Sequence, residues 1–169
     1  TTKWLWGEAE SDTMTIGGYQ GFSLNEYPGK IAAIVFCRGC NFRCPYCHNP
    51  ELVDPDRFTT VWPEERVMDE IAARRGRLQG VVISGGEPTL QEDLATFIRT
   101  VRSLGFAVKL DTNGSDPEVL ERLLSDGLLD HVGLDVKAPT GSYAALTRAG
   151  IPPNTITRSI AAVLASGVD

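Results

Sequence analysis

All four cysteines of this chain of 169 residues lie within one short stretch, at Cys37, Cys40, Cys44 and Cys47. Disulfide-stabilised proteins spread their cysteines along the chain to join distant segments, so this crowding disfavours a disulfide scaffold. Structural zinc sites usually pair two CxxC turns about a dozen or more residues apart, which is much farther than the separation here. A compact iron–sulfur cubane, whose irons each take a thiolate from a short loop, suits the spacing best, with zinc as the alternative.

The composition disfavours two other classes of protein. Hydrophobic residues make up 42% of the chain, and 16 Lys+Arg against 22 Asp+Glu give a net charge of −6. An acidic chain without a basic run is a poor candidate for binding nucleic acid through phosphates. The longest apolar run, residues 31–36, is far shorter than the roughly 20 residues of a membrane helix, and no signal peptide is evident. We therefore expect a soluble, cytoplasmic protein that binds neither nucleic acid nor a membrane.

Strand-like and helix-like segments alternate after the cysteines. Thr89 and Glu92 predict a capping box at the start of one of the helices. Such alternation is typical of an α/β fold with a parallel sheet and right-handed crossovers, here with four βα units. A further strand would begin at Val168. Apolar runs predict strands at 31–36, 81–84, 106–111 and 131–136, and amphipathic patterns predict helices at 63–75, 94–104, 117–126 and 155–166.

The predicted strands end in residues suited to a binding site, at the edge of the sheet where parallel α/β folds bind ligands. The first strand leads into the cysteines. The second leads into residues 84–88, Ser-Gly-Gly-Glu-Pro, whose glycines allow close backbone approach. Alone these residues would indicate only a turn, but their place after a strand and about forty residues beyond the cysteines strengthens the signal. Asp111 and Asp135 end the next two strands. Separately they are a turn former and a surface charge, but together they suit a hard cation with oxygen ligands.

The spacing Cys40-x3-Cys44-x2-Cys47 resembles that of the radical S-adenosylmethionine (radical SAM) superfamily, and the aromatic Tyr46 also fits its pattern. The resemblance implies that these three cysteines ligate three irons of a [4Fe–4S] cluster. The fourth iron is left for the amino and carboxylate groups of S-adenosylmethionine, as a catalytic metal site requires an open position. Tyr46 is then expected beside this cofactor.

Gly85-Gly86-Glu87-Pro88 is similar to the GGEP motif of the same superfamily. By this resemblance Gly85, Gly86 and Glu87 bind S-adenosylmethionine, with Gly86 and Glu87 at its amino end. The resemblance covers residues 16–169, after an N-terminal extension of residues 1–15, but only about two-thirds of the family's six-unit partial barrel. We therefore expect an α/β fold, a partial parallel (β/α) barrel incomplete after about four βα units, in a piece of a longer protein.

Cys47-His48-Asn49 resembles the corresponding residues of glycyl-radical-enzyme activases, which implies that Asn49 contacts S-adenosylmethionine. Residues 17–30 and 39–53 resemble the activases of anaerobic ribonucleotide reductase more than those of pyruvate formate-lyase. His48 by itself is a loop histidine, and a zinc-ligating role for it is the minority interpretation.

The activase resemblance also assigns roles to the two aspartates. It implies that a monovalent cation lies beside S-adenosylmethionine, held by Asp111, Thr112, the carbonyl of Gly133, and Asp135. It further implies that Lys137 reaches the carboxylate of S-adenosylmethionine, a point-charge role that suits lysine. Asp111 and Asp135 are therefore expected among the cofactor-binding residues as well.

The function implied by the resemblance is reductive cleavage of S-adenosylmethionine to a 5′-deoxyadenosyl radical, which takes hydrogen from a glycine Cα of a partner enzyme. Anaerobic ribonucleotide reductase is the expected partner, and a flavodoxin- or ferredoxin-type protein is the expected electron donor. One alternative is a radical SAM enzyme acting on a small molecule or another peptide.

The other alternative is a ferredoxin-like electron carrier. It arises because Cys37-x2-Cys40-x3-Cys44-Pro45 resembles the end of a bacterial ferredoxin motif, with Cys37 as fourth ligand. Cys37 ends an apolar strand, where a small buried thiol is common, so a structural role is favoured for it.

Overall fold

The computed structural model describes residues 13–58, 61–152 and 154–169. Trp4 and Trp6, to which the sequence assigns no role, and most of the predicted extension 1–15 lie outside the described residues. The described strands form one sheet in the order β1-β2-β3-β4-β5, in which β1 is antiparallel to β2 and the other pairs are parallel. The strands are β1 (Ile16–Ser23), β2 (Ala32–Cys37), β3 (Gly80–Gly85), β4 (Ala107–Thr112) and β5 (His131–Leu134).

Helices cover one face of this sheet because their apolar stripes match its buried residues. The main core contains Val35 of β2 and Ile83 of β3, packed with helical residues such as Ile71, Phe97 and Leu120. The predicted α/β class with a parallel sheet is confirmed, and so are the crossover helices. The helices are α1 (Pro50–Val53), α2 (Glu64–Ala72), α3 (Leu94–Ser103), α4 (Pro117–Ser125), α5 (Tyr143–Thr147) and α6 (Thr155–Ser166).

The opposite face of the sheet carries a smaller apolar cluster beneath the loop that joins β1 to β2. Successive side chains of a strand alternate between faces, so Ala32 and Ile34 point away from the main core. They pack with Val82 of β3 and with Tyr27 of the loop, all of them buried. This face therefore has a small apolar cluster of its own.

Two local predictions need correction. The capping box at Thr89 and Glu92 is wrong, because α3 begins at Leu94 with Asp93 as its N-cap. Thr89 instead lies in a 3₁₀ turn and donates both its N–H and its hydroxyl to the carboxylate of Glu87. The predicted strand 131–136 ends early, at Leu134, so that Asp135 belongs to the following loop.

Strand β1 has no counterpart in the prediction. Its sequence, Ile-Gly-Gly-Tyr-Gln-Gly-Phe-Ser, contains glycines that interrupt any apolar alternation. Its pairing with β2 is irregular, with register shifts between Ile16 and Gly18 and between Gln20 and Ser23. The strand is held by its neighbour rather than by its own propensity, which explains why the sequence pattern does not show it.

The far edge of the sheet is formed by β5. There the carbonyl of Asp169 accepts a hydrogen bond from the N–H of Val132 at 2.9 Å. The last residues therefore run beside β5, where the sequence predicts the start of a further strand. No helix in the described part of the chain combines the length and the apolar character needed to cross a membrane.

Candidate functional site

A cavity of about 410 Å³ lies at the carboxyl ends of the parallel strands. This is the edge of a parallel sheet at which the loops after the strands converge. The structure brings all the predicted site residues except Glu87 and Gly133 to this cavity. Those that line it are Cys40, Cys44, Tyr46, Cys47, Asn49, Gly85, Gly86, Asp111, Thr112, Asp135 and Lys137.

The loop that carries the cysteines is anchored at both ends and in its middle. Gly39 donates its N–H to the carbonyl of Leu52 at 2.7 Å, with a φ of +90° that favours glycine. Phe42 is buried against Tyr143 of α5 and Ile156 of α6. The N–H of Arg43 donates to the carbonyl of Thr147 at 2.7 Å. These contacts fix the loop over the sheet, so the three thiols face the cavity without regular secondary structure.

The thiols at the cavity are partly buried and free of disulfides. Burial raises the pKa of Cys40 to about 11, and it also raises the pKa of Cys44. Metal ligation requires thiolates, so the positive charge of a bound metal would have to stabilise them. Within the described ranges, no group of three or more Cys, His, Asp or Glu side chains lies close enough to hold a single metal ion. A cubane distributes its ligands over several irons, one thiolate to each.

The side chain of Cys37 points into the main core, away from the cavity that the other three cysteines line. It is 0% exposed, belongs to the main core, and is not among the residues lining the cavity. Burial raises the pKa of its thiol far above the ordinary value, which disfavours the thiolate that a metal requires. The geometry thus supports a structural role for Cys37 and speaks against its serving as a fourth ligand.

The Gly-Gly-Glu loop after β3 is joined to the cysteine loop by backbone hydrogen bonds. Gly86 donates its N–H to the carbonyl of Cys37 at 2.8 Å, and Glu87 donates to the carbonyl of Gly39 at 2.7 Å. A Cβ at Gly86 would lie only 2.0 Å from the oxygen of Gly39. Because Gly86 has no side chain, the two loops can meet. Gly85 and Gly86 then form one wall of the cavity.

Glu87 does not line the cavity, but it holds together the chain segments that do. Its carboxylate is fully buried and accepts hydrogen bonds from the N–H and hydroxyl of Thr89, the hydroxyl of Thr112, and the N–H of Asn113. Burial raises the pKa of Glu87, while these four donors oppose the shift. The side chain ties the end of β3 to the end of β4, and this contact depends on tertiary structure that the motif alone does not reveal.

Asn113 is a site residue that the sequence reasoning does not identify. It is buried, and its side-chain amide donates to the sulfur of Cys40 at 3.8 Å and to the side-chain oxygen of Asn41 at 3.1 Å. The N–H of Phe42 donates to the same sulfur at 3.4 Å. The only signal in the sequence is its place in Asp-Thr-Asn-Gly after β4, which is typical of a turn.

The two aspartates each pair with a lysine of the same chain segment. Asp111 lies 2.7 Å from the Nζ of Lys109, and Asp135 forms an ion pair with Lys137. Partial burial lowers the pKa of Lys137, but the hydrogen bond to Asp135 and the charge of that residue outweigh burial, so the pKa is raised overall. Tyr46 also contacts Lys137, since its hydroxyl donates to the backbone carbonyl of that residue at 3.4 Å.

The model of the radical SAM superfamily matches residues 34–169, which include the cysteine loop, β3 to β5 and every residue that lines the cavity. The chain belongs to the radical SAM superfamily. Membership implies a [4Fe–4S] cluster and S-adenosylmethionine, and it makes the zinc alternative unnecessary.

Individual relatives differ in what their names say. A protein of Methanocaldococcus jannaschii named as a glycyl-radical enzyme activating enzyme is 42% identical over 130 residues, covering 76% of this chain and 52% of its own. A protein of Pyrococcus horikoshii named as a GTP 3′,8-cyclase is 34% identical over 103 residues, covering 61% and 33%. Among solved structures, QueE from Escherichia coli matches with a TM-score of 0.48 and 21% identity, over 60% of this chain and 53% of that one. The chain thus spans about half the length of the first relative.

The residues of this radical SAM chain fit the cluster. Three thiols face one cavity, the fourth cysteine is buried elsewhere, and two N–H groups already point at the sulfur of Cys40. Donors of this kind stabilise the negative charge on cluster sulfurs. The cavity beyond the thiols holds both carboxylate and ammonium groups, which can meet the amino and carboxylate groups of S-adenosylmethionine.

Proposed function

We propose that this chain is the radical SAM core of a glycyl-radical-enzyme activase. The observation that carries the proposal is that Cys40, Cys44 and Cys47 share one cavity with the Gly85-Gly86 wall and with Lys137. The relative from Methanocaldococcus jannaschii supports it by name, and further relatives carry activating-enzyme names. When bound, the reduced cluster and S-adenosylmethionine supply one-electron cleavage of the sulfonium and a radical that abstracts hydrogen.

The protein's own part is ligation, orientation and shielding. Cys40, Cys44 and Cys47 would hold three irons. Lys137 lies at the cavity wall with its ammonium paired with Asp135, and because an ammonium has three donors it can also bind the carboxylate of S-adenosylmethionine without leaving Asp135. The backbone of Gly85 and Gly86 would approach the amino end of the cofactor, with Glu87 holding that backbone in place.

The proposed partner is anaerobic ribonucleotide reductase, with a flavodoxin- or ferredoxin-type protein as electron donor, in the cytoplasm. This choice rests on the resemblance of residues 17–30 and 39–53. In the fold, the first of these segments is β1 and the loop beneath the sheet, and the second contains the cysteine loop and α1. A small-molecule substrate is the second candidate, favoured by the relative named as a GTP 3′,8-cyclase.

A direct test uses the anaerobically reconstituted and reduced protein. Adding S-adenosylmethionine is expected to change the EPR spectrum of the cluster and to yield 5′-deoxyadenosine. With anaerobic ribonucleotide reductase present, we expect a glycyl-radical EPR signal on the reductase. Product formation with GTP and no radical on the reductase would favour the small-molecule alternative. A spectrum indifferent to S-adenosylmethionine would count against both.

Asn113 gives a second test, directed at the cluster itself. Replacing it by alanine removes a donor to the sulfur of Cys40, so the more negative reduced cluster loses stabilisation and its reduction potential should fall. The expected shift is on the order of tens of millivolts, the equivalent of about 1 kcal/mol for one electron. A redox titration followed by EPR measures it, and Asn25→Ala, at an exposed loop position, is the control. An unchanged potential in Asn113→Ala would show that the contact is not maintained in the loaded protein.

A further inference from the structure

Lys109 is a charged side chain on the face of the sheet opposite the main core, two residues before Asp111 at the cavity wall. It lies on β4 between Val108 and Leu110, which are both fully buried in the main core. Strand alternation therefore directs Lys109 and Asp111 to the opposite face. Lys109 is only 9% exposed, and burial of an ammonium is tolerated only where oxygen ligands replace its water.

Two oxygens contact the Nζ of Lys109. The side-chain oxygen Oδ1 of Asp111 lies 2.7 Å away, and Nζ donates to the carbonyl of Glu26 at 2.7 Å. Gly133, opposite Asp111 in the register of β4 and β5, leaves room for this pair. A Cβ at Gly133 would lie 2.3 Å from the same oxygen of Asp111 and 3.6 Å from the Cε of Lys109.

These contacts disagree with the monovalent cation that the activase resemblance implies. The negative charges of Asp111 and Asp135 would have to balance the positive charge of the expected cation. Asp111 is already paired with Lys109, and Asp135 is already paired with Lys137. A metal ion would therefore enter among two neutralised carboxylates, at a place where the Lys109 ammonium already contacts Asp111. The residues present do not fit a free cation.

We propose that the Lys109 ammonium is a tethered cation that takes the place of the monovalent metal ion. It fixes the carboxylate of Asp111 at the cavity wall, and it makes binding of S-adenosylmethionine independent of added alkali ions. Lys109 is a positioning residue, since it acts through Asp111. The part of the proposal that concerns S-adenosylmethionine rests on the proposed function, whereas the part that concerns alkali ions does not.

The first experiment measures alkali-ion binding without S-adenosylmethionine. The line width of ²³Na in NMR is followed as reconstituted protein is added, for the parent, for Lys109→Met and for the control Lys30→Met. Methionine keeps most of the length of lysine and removes its charge, so Asp111 is left without its ammonium. We expect no bound sodium in the parent or in Lys30→Met, and a gained sodium site in Lys109→Met. Sodium bound at this site in the parent, or none gained in Lys109→Met, would overturn the proposal.

The second experiment measures the affinity for S-adenosylmethionine in sodium, potassium and tetramethylammonium salts. The parent is expected to show the same dissociation constant in all three. In Lys109→Met we expect about tenfold weaker binding in tetramethylammonium and recovery in sodium or potassium, because a charged hydrogen bond is lost and a small ion can replace it. A merely structural role for Lys109 would weaken binding equally in every salt, and that result would contradict the proposal.

Folding of the variant is checked by its iron content and circular dichroism. If Lys109→Met fails to fold, Lys109→Met/Asp111→Asn replaces it, because this double variant has no unpaired charge. The double variant is expected to bind no sodium and to be insensitive to the salt used. A sodium site in the double variant would overturn the proposal, since the ion would then not depend on Asp111. Should the parent bind no S-adenosylmethionine in any salt, the proposed function fails, and the sodium measurement still decides the role of Lys109.

Discussion

Replacing Cys40, Cys44 or Cys47 by alanine, one at a time, is expected to reduce the iron content of the reconstituted protein from about four per chain to near zero. Each of these thiols faces the cavity, and each would be the sole protein ligand of one iron. The nearby carboxylates at Asp111 and Asp135 already have lysine partners, so they are poor substitutes for a lost thiolate. Iron and sulfide analysis with the visible absorption spectrum measures the loss.

Cys37→Ala is the matched control, since it is the same substitution at a cysteine three to ten positions before the three proposed ligands. Cys37 is fully buried in the main core, so its replacement should leave a small void and cost about 1 kcal/mol of unfolding free energy. The iron content should stay at the parent level. Loss of the cluster in Cys37→Ala would revive the electron-carrier alternative, in which four thiols close the cluster. Retention of the cluster in any of the three other variants would remove that cysteine from the ligand set.

The parallel part of the fold could be predicted from the sequence because its signals are local. The strands β2 to β5 are short apolar runs, and the stripe of α3, which includes Phe97 and Val101, has helical spacing. Strand β1 could not be predicted, because its glycines remove the alternation and its place is set by pairing with β2. The capping box at Thr89 is wrong because Thr89 donates its N–H and its hydroxyl to the carboxylate of Glu87 and lies in a separate turn before α3.

The site shows the same division between local and tertiary signals. The cysteine spacing and the Gly-Gly-Glu motif are local, and they correctly indicate which loops meet. The roles of Glu87, Asn113 and Lys109 depend in part on contacts between residues that are distant in the sequence. Asn113 contacts Glu87, 26 positions away, and Lys109 contacts Glu26, 83 positions away. Lys109 also lies inside an apolar run, where its charge looks incidental until the structure places Glu26 beside it.

Gly86→Ala tests the contact between the two loops, and its effect should be large. The new Cβ would lie 2.0 Å from the oxygen and 2.7 Å from the carbonyl carbon of Gly39. Both atoms are backbone, so a side-chain rotation cannot relieve the collision. Separating the loops would break the hydrogen bonds from Gly86 to Cys37 and from Glu87 to Gly39.

We expect Gly86→Ala to lower the unfolding free energy by about 3 kcal/mol, the upper part of the usual range for overpacking. In a protein of this size that corresponds to a fall in Tm of about 6 to 12 °C. Binding of S-adenosylmethionine should weaken as well, because displacement of Gly39 moves Cys40 next to it. Thermal unfolding followed by circular dichroism, together with the dissociation constant for S-adenosylmethionine, measures both effects.

Gly150→Ala is the control for this substitution. An ideal Cβ at Gly150 meets no heavy atom within 4 Å, and the residue is exposed with no positive φ. Its Tm should therefore stay within a few degrees of the parent, or rise slightly because alanine restricts the unfolded chain. Equal Tm values for Gly86→Ala and Gly150→Ala would mean that the two loops are not in contact at Gly39. A lowered Tm with unchanged affinity would mean that the contact stabilises the fold without shaping the cavity wall, and the role assigned to Gly86 in binding would be withdrawn.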